Sequence, residues 1–291
     1  MRFRSAGLLF VSFVVAATAA RAETVQCTEL TTVPHVISAP GVYCFKTSIT
    51  YANGGPGQTA LVIASDDVVL DLNGHVLQAD AAGRDSIGIG AWNRKNVTVR
   101  NGTVRGFRHG ILFEDEPPYA RAEGYVVERI RAEHIRWTAI TVEGKGNIVR
   151  DNHVLFTGPV TGDSIKYTNP FGILVGGSGA SVTDNKVVDT IAPEGGSATG
   201  IAVLAPFTVL AQAVGATVER NFVGNESLAS GPSYGIQLFG TKGAAVGNRV
   251  VNMKYGIWFS GQGMYMDNIV AGAAAPYGGF AVAAGNTNFS Y

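Results

Sequence analysis

Short runs of alternating apolar and polar residues recur along this chain and fall into two phrases that take turns. One is Val-x-x-Asn-x-Val, at 149–154, 182–187 and 218–223. The other is a Gly-Ile step opening a four-residue run: Gly110-Ile111-Leu112-Phe113, Gly172-Ile173-Leu174-Val175, Gly200-Ile201-Ala202-Val203, Gly235-Ile236-Gln237-Leu238 and Gly256-Ile257-Trp258-Phe259. Ala139-Ile140-Thr141-Val142 and Gly279-Phe280-Ala281-Val282 are looser copies. Period-two alternation over so few residues predicts strands whose first and third side chains face one way. A fixed-order repeat of about 20–40 residues predicts a stacked solenoid. One coil cannot bury its own apolar stripe, whereas stacked coils can. Ile111, Ile140, Ile173, Ile201, Ile236, Ile257 and Phe280 are then expected to form one interior column. Strict alternation would put Phe171, Tyr234 and Tyr255 on that same inner side and leave Trp258 facing outward.

Asn152, Asn185, Asn221, Asn248 and Asn268 occupy equivalent positions. Stacked amides offer donors and acceptors both to one another and to the turning backbone, which predicts a buried ladder. Ile130 replaces the Asn in one coil, and the register around Asn73-Gly74 and Asn101-Gly102 is open by one residue.

These repeats, with Leu70-Asp71-Leu72-Asn73-Gly74-His75 and Asn96-Val97-Thr98-Val99-Arg100-Asn101-Gly102-Thr103-Val104, resemble the right-handed parallel β-helix proteins of bacterial envelopes, the pectin-lyase-like fold. The resemblance covers about residues 60–285. It implies an all-β, single-stranded right-handed parallel β-helix of about seven to eight coils. Pectate lyases, polygalacturonases, alginate lyases and epimerases, phage tailspikes, adhesins and NosD-type periplasmic proteins are alike at this level, so the fold leaves the function open.

The ends and the charge narrow the setting. Arg2 and Arg4, a mostly apolar stretch over 6–17 and Ala20-Arg21-Ala22 form the pattern of a cleaved export signal. The apolar run is short for a bilayer span of about 20 residues. Three units are expected: a signal peptide over 1–22, an N-terminal cap over 23–60 and the β-helix over 61–291. The location is expected to be periplasmic or secreted, with no membrane span after cleavage. The chain holds 22 basic and 22 acidic residues. Losing Arg2, Arg4 and Arg21 makes the remainder acidic, which disfavours a nucleic-acid partner. Cys27 and Cys44 are the only cysteines. In an exported chain such a pair is expected to form a disulfide, here as the staple of the cap.

Function on a solenoid is expected where loops interrupt the repeat. The intervals 152–172, 185–200 and 221–235 are long and leave one corner, predicting a loop wall beside a groove; 114–123 and 205–215 predict a second wall. Arg and His residues crowd the early coils. Cations beside a base suit an acidic sugar, because they neutralise the uronate while the base removes its C5 proton. The expected catalytic set is His134, His153, Lys166 and Asp189. Arg105, Arg108, Asp163, Tyr167, Glu194 and Trp258 are expected to hold substrate. The five histidines lack metal-ligand spacing. No cofactor is expected, with calcium in an acidic loop left open. The carboxylate triad of polygalacturonases, the Asp-Pro-His of alginate epimerases and the Arg-x-Pro-x-x-Arg of pectate lyases are absent. The leading expectation is recognition, with cleavage or epimerisation, of an acidic polysaccharide or other surface glycan. A non-catalytic envelope or surface binding module is the alternative, and a NosD-like accessory role stands third.

Overall fold

A computed structural model describes residues 24–52, 54–159, 169–204, 214–226, 231–240, 242–283 and 288–291. The expected signal peptide and parts of both expected loop walls lie outside the described residues.

Among the described residues the chain is almost wholly strand, with one short 3-10 turn at Gly83–Asp85. Every strand pairing is parallel and joins one coil to the next, as in Ile111↔Ile140, Ile140↔Ile173 and Ile173↔Ile201. The chain is therefore a right-handed parallel β-helix, the hand that parallel crossovers take. Each coil has three faces. The first carries strands such as Ile148–Arg150 and Ser181–Thr183, the second His153–Thr157 and Lys186–Thr190. The third carries Thr138–Val142 and Phe171–Gly176. The first two faces join into a 19-stranded sheet; the third is a separate sheet of ten strands.

Ten rungs on the third face exceed the seven or eight coils expected. Ile87–Trp92 carries an early Gly-Ile step, Gly88-Ile89, among small residues, and Thr59–Ile63 and His35–Ile37 carry none. Within the expected cap, Gly41–Phe45 pairs in register with Val68–Asp71, and Ile49–Tyr51 with Val76–Ala79, which seats it on the coils that follow. The Cys27–Cys44 disulfide forms, tying the chain start to a strand of this segment. No helix among the described residues is long and apolar enough to cross a membrane.

The core is a set of columns of β-branched and aromatic residues, the types that fill a pleated interior. Ile89, Ile111, Ile140, Ile173, Ile201, Ile236 and Ile257 stack in order and are at most 1% exposed. Tyr277, not Phe280, completes the column; Phe280, three residues further along the same rung, is 76% exposed.

The asparagine ladder forms as expected. Asn152, Asn185, Asn221, Asn248 and Asn268 are buried, and each Oδ1 takes the backbone N–H of the ladder residue one coil earlier. Ile130, which has no amide, ends the series by donating its own N–H to Asn152 Oδ1 at 2.9 Å. The open register resolves at Gly102↔Ile130, so Asn101 lies one residue before the ladder. That preceding residue turns the corner in the left-handed region, with φ between 52° and 58° at Asn101, Arg129, Asp151, Asp184 and Arg220. Charged side chains there face solvent. Arg220 pairs with Asp184 at 2.8 Å, whereas Arg129 turns to Glu128, which also holds Arg150.

Candidate active site

The third face does not alternate strictly. A Cβ on Gly172 would meet the core methyl Val187 Cγ1 at 2.5 Å, so Gly172 points inward together with Ile173. The step is a local bulge at a residue without a side chain. The residue before each such glycine is thereby turned outward. Phe171 and Leu174 line one cleft with Thr138 and Thr141. Tyr234 and Tyr255 touch the outward Trp258. The expected inner position of these three aromatics is therefore corrected: they lie on the outer surface.

That cleft, of about 420 Å³, crosses the outer third face over four rungs. Its two carboxylates are Glu114 and Glu143. Each directly follows a strand phrase, Ile111-Leu112-Phe113 and Ile140-Thr141-Val142, and the register Phe113↔Val142 sets them on neighbouring rungs, about 4.8 Å apart. Trp92 lies one rung earlier, and its Nε1 donates to Glu114 Oε2 at 2.8 Å. Burial, opposed by the Trp92 hydrogen bond, raises the Glu114 pKa above the ordinary carboxylate value. Burial and then the neighbouring Glu114 charge raise Glu143 to about 7. The buried Asp115 holds the adjoining loop by accepting the N–H groups of Arg121 and Ala122, each at 3.1 Å. This loop is the described part of the second expected wall, and Asp115 N donates to Glu143 Oε2 at 3.4 Å.

On the other side stand Arg108, His109 and Trp137, with the His109 and Trp137 rings 4.9 Å apart. Burial, then Arg108, lowers the His109 pKa to about 3, so the imidazole is neutral. His109 Nδ1 and Thr141 Oγ1 are buried at the cleft with no hydrogen-bond partner within the protein. Buried polar groups are rarely left so. A ligand's hydroxyl groups could satisfy both.

The sequence-predicted residues are placed as follows. Arg108 lines the cleft. His134 and Asp189 share one corner position, both with left-handed backbone, two coils apart with Phe156 between them. His134 stacks on Phe156, ring centroids 5.1 Å apart. Asp189 is buried, where its Oδ1 accepts Glu226 N at 2.8 Å. His153 pairs in register with Arg131 and Lys186 on the second face, away from that corner. It borders a separate depression of about 310 Å³ with Arg129, Arg131 and Asp151. Burial, then Lys186 and Arg131, lowers its pKa. These three residues therefore do not converge on one sugar, because the corner turns Asp189 into the structure and alternation keeps His153 on the flat face. Arg105 is tied to Glu133 at 3.3 Å, and Glu194 is exposed on a loop. Trp258 is half-buried on the third face. Lys166, Asp163 and Tyr167 lie outside the described residues. Among the described residues no three His, Cys, Asp or Glu side chains gather as a metal site.

Sequence reasoning missed Glu114, Glu143, Trp92 and His109 as a group. A signal was present: two successive phrases each end in Glu, at Phe113-Glu114 and Val142-Glu143. Only the stacking register makes them neighbours.

The fold is that of the pectin-lyase-like parallel β-helix proteins. The chain is similar in structure to pectate lyase Pel9A, with TM-score 0.54 and 11% sequence identity over 86% of this chain and 71% of that one. It is also similar to DFA-IIIase from Arthrobacter chlorophenolicus A6, with TM-score 0.47 and 12% identity over 87% of this chain and 57% of that one. The Azotobacter vinelandii mannuronan C-5 epimerase AlgE4 A-module gives TM-score 0.41 and 10% identity over 87% and 89%. No family model matches the sequence, and no curated protein matches it.

Proposed function

We propose that this is a periplasmic or secreted β-helix protein that acts on a polysaccharide, cleaving glycosidic bonds in the cleft of the third face. The observation that carries the reading is the Glu114–Glu143 pair on neighbouring rungs, both pKa values raised, between Trp92 and Trp137. Perturbed carboxyl pairs in a cleft are candidate acid and base groups. The Cys27–Cys44 disulfide supports an oxidising compartment.

Glu143, protonated up to about pH 7, is the acid that gives its proton to the glycosidic oxygen. Glu114, where the Trp92 N–H and then the Arg108 charge oppose the upward pull of burial, is the group that faces the anomeric carbon. The pair on neighbouring rungs is read as nucleophile and acid, the arrangement in which carboxyl groups stand about 5–5.5 Å apart. The C1–O bond breaks as the Glu114 carboxylate bonds to C1, and the aglycone leaves with the Glu143 proton. Water then adds to C1 as the Glu143 carboxylate takes a proton from it, and the C1–O bond to Glu114 breaks, releasing both groups in their starting states. Neutral His109 and Thr141 would bond sugar hydroxyls. An acidic sugar unit would find Arg108 at the cleft; this is the support the structure lends to the acidic-polysaccharide expectation.

The test is reducing-end release from neutral polysaccharides and polyuronates by the purified chain and by Glu143→Gln. Turnover lost at least about a hundredfold in the variant supports the reading. Unsaturated products, or equal turnover by both proteins, would overturn it.

A further inference from the structure

Beyond the cleft, the outer third face continues with a different chemistry. Strands Phe171–Gly176, Ala198–Leu204, Ser233–Leu238 and Tyr255–Phe259 contain no charged residue. Register places Phe171, Thr199, Tyr234 and Tyr255 in one outward column. Leu174, Ala202, Gln237 and Trp258 form the column beside it, Leu174 and Ala202 buried and Gln237 and Trp258 partly exposed. Both columns start at the cleft, which Phe171 and Leu174 line.

The far end of this strip is shaped. Tyr234 and Tyr255 stack 4.7 Å apart at 18°, standing side by side along the axis. The Trp258 indole is turned 71° to Tyr255, with centroids 5.5 Å apart, and 74° to Tyr234. It leans over Gly278, its register partner on the next rung, where a Cβ would collide with the six-membered ring. Trp92, nearer the other end of the face, leans over Gly90, two residues back on its own strand. Each tryptophan thus lies along the sheet because a glycine leaves it room. The result at the far end is a corner with an indole floor and a tyrosine wall. A pyranose ring has an apolar C–H face that stacks on an indole and hydroxyl edges that a tyrosine O–H can meet.

We infer that Tyr234, Tyr255 and Trp258 on the outer third face form a distal stacking platform, the partly exposed end of a binding track for a chain of uncharged sugar units, with Thr199, Ala202 and Leu174 buried between it and the cleft. This rests on the reading of the Glu114–Glu143 cleft as glycan-acting and assigns that site a long, neutral polymer lying along the helix axis. From Glu143 to Trp258 is four rungs, about 19 Å, so the platform engages sugars several units from the reacting bond. Gly278 is a positioning residue: it touches no sugar but keeps the indole flat.

The test uses the full chain carrying Glu143→Gln, titrated with manno- and xylo-oligosaccharides as disaccharides and hexasaccharides, and with galacturonate oligomers of the same lengths. Calorimetry and tryptophan fluorescence report binding. A neutral hexasaccharide should bind at least about tenfold tighter than its disaccharide, within what one or two stacking contacts supply. Trp258→Ala and Gly278→Val should erase this length preference, and Trp258→Phe should keep part of it. Equal affinity for both lengths, preference for galacturonate hexamers, or no hexasaccharide binding overturns the inference. So does a dimer that dissociates in Trp258→Ala, which would assign the platform to a second copy of the chain. Length-dependent binding by a wild-type protein with no turnover removes the cleavage reading and leaves the track standing.

Discussion

Asn185 is bonded twice to one oxygen of Asn221: its backbone N–H reaches Asn221 Oδ1 at 2.9 Å and its side-chain Nδ2 reaches the same atom at 3.0 Å. Asn185 Nδ2 also donates to Val149 O at 2.9 Å, so the amide ties three coils together. Asn221→Ala would strand the Asn185 N–H in the core, where an unpaired buried donor costs about 1–3 kcal/mol. The expected loss of unfolding free energy is about 2–4 kcal/mol, since the Val182 carbonyl loses its Asn221 donor as well. Denaturant unfolding measures it. A loss below 0.5 kcal/mol, roughly that of an ordinary surface change, would remove the ladder from the list of stabilising elements.

The ladder and the isoleucine column were legible because each repeats a residue type at a fixed place in every coil. The outward turn of Tyr234 and Tyr255 was not, because it depends on a bulge at Gly235 and Gly256 that alternation does not encode. The Glu114–Glu143 pair was hidden for another reason: 29 positions separate the two residues, and only the Phe113↔Val142 register brings them together. Conversely, His153 and Asp189 looked like neighbours by counting from the ladder. The corner residues, with φ of 57° at Phe156 and Asp189, redirect the chain in a way no count reveals.

Glu143 makes the protein less stable at alkaline pH. Its folded pKa, about 7, lies above the ordinary 4.5, because burial and the Glu114 charge oppose ionisation. The stability this group contributes is full below pH 4.5 and is lost as pH rises through about 7. Glu143→Gln removes the penalty. The variant should match wild type below pH 4.5 and exceed it above pH 7 by up to about 2–3 kcal/mol, the size of a shift of this order. Thermal or denaturant unfolding at the two extremes checks it; a difference that does not change with pH would refute the ionisation argument.

His109 acts in the opposite sense. Its folded pKa is lowered to about 3 from 6.5, chiefly by burial against Trp137 and the cleft floor. The contribution is full above pH 6.5 and is lost as pH falls toward 3, because the unfolded chain takes up a proton that the folded chain refuses. His109→Asn should therefore flatten the fall of stability across that window relative to wild type, by up to a few kcal/mol at its lower end. Parallel stability–pH curves for the two proteins would show that the imidazole is not held neutral.

The two cleft carboxylates should also titrate as a coupled pair. After burial, the charge on Glu114 is the next contribution holding Glu143 up, and register sets the two residues on neighbouring rungs. Glu114→Gln deletes that charge while keeping the amide shape. The Glu143 pKa should then fall from about 7 toward its ordinary value without reaching it, since burial remains the larger cause. Carbon-detected NMR of side-chain carboxyl groups follows the proton directly and needs no substrate. Increasing salt should shift Glu143 little, because a pair this buried is weakly screened. If Glu114→Gln leaves the Glu143 titration where it was, the two groups do not share a field, and the assignment of one as acid and the other as carboxylate in a single cleft loses its electrostatic basis.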